Sequence, residues 1–286
     1  MEMTLGSSAL PLRIICSILP TPTPSTATEP YSPAPSFSTR FTPSMQTLED
    51  QQTYTRFLTL LKMTMNEYNL PLQPTTVFVD FEAAAHNAIH QVFPGVTVKG
   101  CFFHFTRCIW RKAQQTGLQQ LYRHNDDVNR LVRLAAVLPL VPLDKVEDVW
   151  FNALEELDDA DLPVDTLPFT DYVVSQWMEG DRQTWNHYAT KGHRTTNNLE
   201  AWHGKLKKKV RHSHPNIYTI IRVFQEIQAS IEIDRIQKDA GGPTRPRCKK
   251  YRNIDRRLTQ LKERLENNTL SLMEYADAAS HLLHLE

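Results

Sequence analysis

Cysteine is scarce in this sequence, and long apolar runs are missing from it. The four cysteines are Cys16, Cys101, Cys108 and Cys248. They show no spacing typical of a disulfide framework, so we expect a protein of a reducing compartment. No apolar run reaches the ~18 residues that a membrane-spanning helix needs. The apolar stretch 10–19 is interrupted by Pro11 and Arg13 and has no clear cleavage site after it. We therefore expect neither a membrane anchor nor a signal peptide.

A net charge is also missing, but the charges are unevenly distributed. The chain has 32 Lys and Arg against 32 Asp and Glu, whereas residues from 201 onward hold 17 Lys and Arg against 10 Asp and Glu. This excess of basic residues indicates that the C-terminal third binds a polyanion. The alternative is a basic surface that is only solvated. Hydrophobic residues make up 41% of 286 residues, which is enough for one sizeable domain with or without a tail.

Proline, serine and threonine dominate residues 20–44, and nothing in this stretch is periodic. Proline withholds backbone donors, so we predict a disordered or extended leader over residues 1–47. An ordered domain is predicted over 48–237, with a helical insertion at about 117–190. A basic helical tail is predicted over 238–286.

Strand and helix patterns alternate after residue 48. Residues 75–80 (TTVFVD) and 96–103 (VTVKGCFF) are rich in β-branched and aromatic residues, and helical patterns cover 48–68, the Ala-rich segment between the strands, and 104–115. This order predicts an α/β fold in which two neighbouring parallel strands carry helices on the sheet. Further helices are predicted at 118–123, 126–137, 143–157, 170–188, 196–210, 216–237, 250–266 and 270–284.

Asp80 ends the first predicted strand, at the sheet edge where α/β proteins bind ligands. A carboxylate in this position can hold a divalent metal ion. Aspartate is also a favoured helix N-cap, so a purely structural role is the alternative. Glu82 falls in the first predicted helical turn, where it would complement the helix dipole, and we interpret it as structural.

Cys101 and His104 form a C-x-x-H pair at a predicted strand-to-helix junction. Thiolate and imidazole are ligands that zinc prefers, and structural zinc needs four of them. The further candidates are His187, His193 and His203; a buried cysteine beside a polar histidine is the alternative interpretation. His86 and His90 share one helix face without the glutamate of H-E-x-x-H, and we interpret them as ordinary helix residues.

Glu200 lies near the start of a predicted helix, three residues after Asn197. This spacing is typical of a capping box, which would make the glutamate structural. The alternative is a metal-binding carboxylate that projects from the helix toward Asp80.

Two basic clusters follow, and basic residues of this kind supply phosphate contacts. The first cluster consists of Lys205, Lys207, Lys208, Lys209 and Arg211. The second includes Lys249, Lys250, Arg252, Arg256 and Arg257. We predict that both clusters bind DNA, with solvated helix faces as the alternative.

Three stretches that follow one another along the chain resemble the transposase domain of Mutator-like elements, the MULE transposases. They are VFVDFEAAAHNAIHQVFPG, GCFFHFTRCIWRKAQQTGLQQLY and RTTNNLEAWHGKLKKKV. The resemblance runs from about Gln52 to Ile236. It implies a partial RNase H-like core of the DDE type, in which Asp80 and Glu200 are catalytic and bind Mg²⁺ or Mn²⁺. Cys101 and His104 match the family's C-x-x-H pair, a candidate Zn²⁺ site. DNA as a partner and a nuclear location are also implied, and a homo-oligomer is a further candidate.

The family's first catalytic aspartate lies in a D-x-T-F segment, and none precedes Gln52 in this sequence. The only acidic residues before Glu49 are Glu2 and Glu29, neither in a strand-like stretch. We therefore expect a protein truncated on its N-terminal side relative to the family, which is catalytically incomplete and retains at most DNA binding. The alternatives are an active metal-dependent transposase or nuclease, and a zinc-stabilised helical module for protein interactions.

Overall fold

The computed structural model describes residues 45–158, 164–190, 194, 204, 206–210, 215–243 and 249–285. These residues fall into two compact units. Unit 1 comprises Met1–Thr75, Glu82–Val96 and Glu200–Thr244, and unit 2 comprises Thr76–Phe81, Thr97–Leu199 and Arg245–Glu286. No helix among the described residues is long and apolar enough to cross a membrane.

Two short strands alternate with helices at first, and all later elements that the structure describes are helices. In chain order they are α1 (Met45–Glu67), β1 (Thr76–Val79), α2 (Ala83–Val92), β2 (Thr97–Gly100), α3 (Phe102–Gln115), α4 (Leu118–Leu121), α5 (Asp126–Val137), α6 (Val146–Asp158), α7 (Leu167–Val173), α8 (Arg182–Trp185), α9 (Ile217–Asp239), α10 (Lys249–Glu266) and α11 (Leu272–Ser280). Residues 206–210 are also helical.

In unit 1, α1 packs against α2. The α2 face buries small alanines such as Ala84 and Ala88, which lets neighbouring elements approach closely. The Tyr54 hydroxyl on α1 donates to Glu82 Oε2 at 2.9 Å, and Lys62 Nζ donates to the Val92 carbonyl at 2.9 Å. Polar side chains of α1 therefore bind both ends of α2.

Helix α9, also in unit 1, matches the predicted helix 216–237 closely. Its N-cap is Asn216, whose Oδ1 accepts from the Thr219 amide at 2.8 Å. The chain leaves the helix through Gly241 at a φ of 84°, a left-handed conformation that glycine adopts without steric cost. Only Val223 is buried in this helix, so the apolar stripe that predicted it stays mostly half-buried.

In unit 2, β1 and β2 form a parallel pair, as the strand–helix–strand order predicted. The register pairs Thr76 with Thr97 and Val79 with Gly100. The predicted end of the second strand at residue 103 is wrong, because the strand ends at Gly100 and α3 begins at Phe102. The amide of Phe105 already donates to the Cys101 carbonyl at 3.0 Å, so helical hydrogen bonding replaces the ladder there.

The core of unit 2 lies among helices rather than on the sheet. Its largest fully buried side chains include Trp150, Tyr275, Phe105 and Phe169. Helices α10 and α11 contribute to the same apolar cluster. The Tyr275 hydroxyl donates to the Leu140 carbonyl at 2.6 Å. The segment that the sequence presents as a basic tail thus helps to form this core.

The prediction of one helix over 170–188 is wrong. Helix α7 ends at Val173, a π-helical turn covers Val174–Met178, and α8 is a separate helix over Arg182–Trp185. Asp181 caps α8 by accepting from the Gln183 amide at 2.9 Å. An aspartate that caps a new helix competes with continuation of the old one, which explains the break.

Candidate functional site

Asp80 is the first residue after β1 and lies exposed at the carboxyl end of that strand. It is not the N-cap of α2, because that position belongs to Glu82. The helix-capping interpretation of Asp80 is therefore wrong, and its carboxylate stands at the sheet edge where the sequence placed it. The negative charge of Asp80 acts on the Cys108 thiol of α3. Burial raises the pKa of the Cys108 thiol, Arg111 and Arg107 lower that pKa, and Asp80 raises it further.

The predicted position of Glu82 in the first helical turn is wrong, because α2 begins at Ala83 and Glu82 is its N-cap. It caps the start of α2 with extended backbone angles, although its side chain makes no capping hydrogen bond there. Its carboxylate accepts from Tyr54 within unit 1. Glu82 therefore connects α1 to the start of α2.

Cys101 and His104 lie at the junction of β2 and α3, as predicted. Cys101 is fully buried and is the N-cap of α3, and its amide donates to the Val79 carbonyl at 2.6 Å. His104 is half-buried in the first turn of that helix. No group of three or more His, Cys, Asp or Glu in the described part of the chain could hold a metal ion. His193 and His203 lie outside the described residues, so the zinc site stays a prediction.

His187, one of the candidate zinc ligands, is buried and binds the end of β2. Its Nε2 lies 2.7 Å from the Gly100 carbonyl oxygen, and its Nδ1 lies 3.3 Å from the Thr190 hydroxyl. A carbonyl only accepts, so Nε2 carries the proton and donates it, while Nδ1 accepts from the hydroxyl. Burial lowers the pKa of His187 to about 4, which keeps the ring neutral. With Nε2 occupied, only Nδ1 of this ring could bind a metal ion.

Lys99 also attaches β2 to the segment around α8. Its Nζ donates to the carbonyls of Gln183 and Asn186, the latter at 3.0 Å. Desolvation lowers the pKa of Lys99. Nothing in the local sequence pattern around Lys99 indicates a contact with carbonyls more than eighty residues away, so this residue was not predicted.

Arg194 is a second residue that was not predicted from the sequence. Its carbonyl accepts from the Phe102 amide at 3.0 Å, and its guanidinium binds Asp255 of α10 at 2.7 Å. Arg194 therefore joins the start of α3 to α10. The junction that carries Cys101 and His104 is thus held by long-range contacts.

Glu200, the second predicted catalytic carboxylate, lies outside the described residues, as do Lys205 and Arg211. The predicted approach of Glu200 to Asp80 therefore stays a prediction. The structure likewise does not describe Asn197, so the capping-box alternative for Glu200 also stays open.

The two basic clusters belong to different units. Lys207, Lys208 and Lys209 are exposed residues of unit 1, and Lys209 Nζ lies 3.5 Å from Glu226 Oε2. The second cluster lies on α10 of unit 2, and all five of its residues are exposed. These five are Lys249, Lys250, Arg252, Arg256 and Arg257.

The site is a parallel pair of strands with an exposed carboxylate at the end of the first strand, the sheet edge at which α/β proteins bind ligands. Residues 41–107 match the model of the MULE transposase domain. The match confirms the resemblance over that segment and indicates a transposon-derived protein. It includes Asp80, Cys101 and His104, and it ends before Glu200 and both basic clusters. No curated protein and no solved structure matches the chain.

Proposed function

We propose that this transposon-derived protein binds DNA through basic residues of its C-terminal third and does not itself cleave DNA. The observation that carries the proposal is the exposed cluster of five Lys and Arg residues on α10, in the basic part of the chain. Exposed cations bind the phosphates of DNA and release counterions, which supplies affinity without base recognition. A nuclear location follows from this partner and is part of the proposal.

The proposed lack of DNA cleavage rests on the number of carboxylates that could bind the catalytic metal ions. A DDE-type site needs three carboxylates, and two residues of this sequence match the family's catalytic positions, Asp80 and Glu200. Among the described residues, Asp80 is the only one of the two, and no group of three donors surrounds it. The described residues alone therefore do not supply the carboxylates of a two-metal site.

The fold we propose for the matched segment is part of an RNase H-like core. The parallel pairing of β1 and β2, the helix between them, and the carboxylate that follows β1 support this assignment. The helices after α3 would then be the insertion that separates the two carboxylate-bearing segments.

The test combines DNA binding with DNA cleavage on the full chain. Binding to a short duplex is measured by fluorescence anisotropy at about 50 mM salt, where phosphate contacts are strong. Nicking of a supercoiled plasmid is measured with added Mg²⁺ or Mn²⁺. We expect binding and no nicking.

A matched pair of variants makes the cleavage result specific. Asp80→Asn removes the sheet-edge carboxylate, and Asp171→Asn removes an equally exposed carboxylate on α7. Nicking that is lost in Asp80→Asn and kept in Asp171→Asn would show an active site and refute the proposed inactivity. A wild-type chain that does not bind the duplex even at low salt would refute the DNA-binding part.

A further inference from the structure

We infer that one face of α10, made by Lys249, Arg252 and Arg256, is the surface that contacts the phosphate backbone of duplex DNA. This inference rests on the proposed function, since it names the site through which the proposed DNA binding occurs. We call these three residues the outer face of α10.

Packing determines which residues of α10 point outward. Leu258 is 2% exposed and belongs to the core of unit 2, and Leu261 and Leu265 pack against the same core. At 3.6 residues per turn, positions 249, 252 and 256 lie on the side of the helix opposite Leu258. The structure shows all three as exposed. The three cations therefore project away from the core on one side of a docked helix.

The docking itself is specific enough to determine this orientation. Asp255 on α10 binds the Arg194 guanidinium at 2.7 Å. Lys262 Nζ donates to the Tyr188 carbonyl, and it lies 4.5 Å from the centroid of the Tyr188 ring. Burial lowers the pKa of Lys262 to about 8. Two polar contacts and the leucines thus prevent α10 from rotating about its axis.

The same docking engages the single acidic residue that lies among the five cations in the sequence. Asp255 is the single carboxylate between residues 249 and 257, and it turns inward to Arg194. None of the five basic residues in this range forms a salt bridge with any described residue. In contrast, Lys209 of the other cluster has Glu226 as a partner. The outer face of α10 therefore keeps its full positive charge for an external anion.

The dimensions of the face fit a DNA backbone. Lys249 and Arg256 are seven residues apart, which corresponds to about 10 Å along a helix. Duplex DNA carries one negative charge per ~1.7 Å of its axis, so a row of three cations meets several phosphates at once. Contacts of Lys and Arg with phosphates carry no sequence information. We expect binding that does not depend on DNA sequence.

The experiment compares two triple variants of the full chain. The test variant is Lys249→Gln, Arg252→Gln and Arg256→Gln. The control is Arg111→Gln, Arg222→Gln and Lys238→Gln, which removes one Lys and two Arg at exposed positions outside both clusters. The affinity for a fluorescent duplex is measured by anisotropy over a series of salt concentrations, with a second duplex of unrelated sequence. Thermal denaturation confirms that both variants are folded.

The outer face predicts a specific change in the salt dependence. The test variant should bind at least about tenfold more weakly, and the slope of log K against log salt should fall by about three, one for each lost phosphate contact. The control should keep its slope to within about one. The two duplexes should bind equally well.

Three results would overturn the inference. If the wild type binds DNA and both triple variants lose affinity equally, the overall charge is responsible and the outer face is not the site, while the proposed DNA binding stands. A strong preference for one duplex sequence would show that the protein recognises bases, not the phosphate backbone alone. If the wild type does not bind DNA at all, the proposed function fails and this inference fails with it.

Discussion

Acidification should destabilise unit 2 by protonating His187. The ring is fully buried, and its Nε2 donates to the Gly100 carbonyl at the end of β2. Burial is the main cause that lowers its pKa to about 4, and the nearby cations Lys99, Arg194 and Lys262 lower it further. A second proton on this ring would take the nitrogen that accepts from Thr190 and place a charge in the core.

The sign and size of the effect follow from the two pKa values. In the unfolded chain the ring has its ordinary pKa of 6.5, so the unfolded state binds more protons than the folded state between pH 6.5 and 4. The free energy of unfolding therefore keeps its full value above pH 6.5 and decreases as the pH falls to about 4. A shift of this size corresponds to about 3 kcal/mol.

The assay is urea denaturation at several pH values between about 7 and 4, monitored by tryptophan fluorescence, to which the buried Trp150, Trp177 and Trp185 of unit 2 contribute. The wild type is compared with His187→Gln, which does not titrate in this range. Carboxylates contribute to both proteins and cancel in the difference. The wild type should lose about 3 kcal/mol more than the variant. Parallel pH profiles for the two proteins would refute the assignment of a buried, neutral His187.

Three further predictions concern stability. A Cβ at Gly100 would collide with the Phe81 ring, so Gly100→Ala should lower the free energy of unfolding by about 1–3 kcal/mol. Gly180 lies in open space, so the control Gly180→Ala should change that free energy by less than about 0.5 kcal/mol. Tyr275→Phe removes a buried hydroxyl donor and should cost about 1 kcal/mol in urea denaturation; Tyr218→Phe, at a 70% exposed position, should cost nothing measurable. Lys249→Glu replaces a cation in the first turn of α10 with an anion that the helix dipole favours. Thermal denaturation should therefore show a free energy of unfolding that is higher by about 0.3–1 kcal/mol, while DNA binding weakens. A loss of stability would contradict this reasoning.

The local patterns of the sequence were enough to predict most helices and both strands. Helix α5 begins and ends as predicted, at Asp126 and Val137, and the Asn125 side chain accepts from the Val128 amide at its start. The parallel pairing of β1 and β2 followed from a helix lying between two β-branched segments. These features depend on neighbours within a few residues, so the sequence alone contains the information.

The break between α7 and α8 shows where local patterns fail. The apolar spacing of 170–188 continues through the break, but a π-helical turn and the cap at Asp181 end the helix. The side chain of Trp185 then donates to the Trp177 carbonyl at 3.0 Å across the break. A contact between two tryptophans on different short helices gives no signal in the spacing of apolar residues.

The sequence by itself determined the residue types of the candidate site, the position of Asp80 at the end of a strand, and the charge of the C-terminal third. The tertiary structure alone decided that His187 donates to Gly100, and that Asp255 turns inward to Arg194. These contacts join residues 87 and 61 positions apart. Charge and periodicity are properties of the chain, whereas the direction of a side chain depends on which distant element packs beside it.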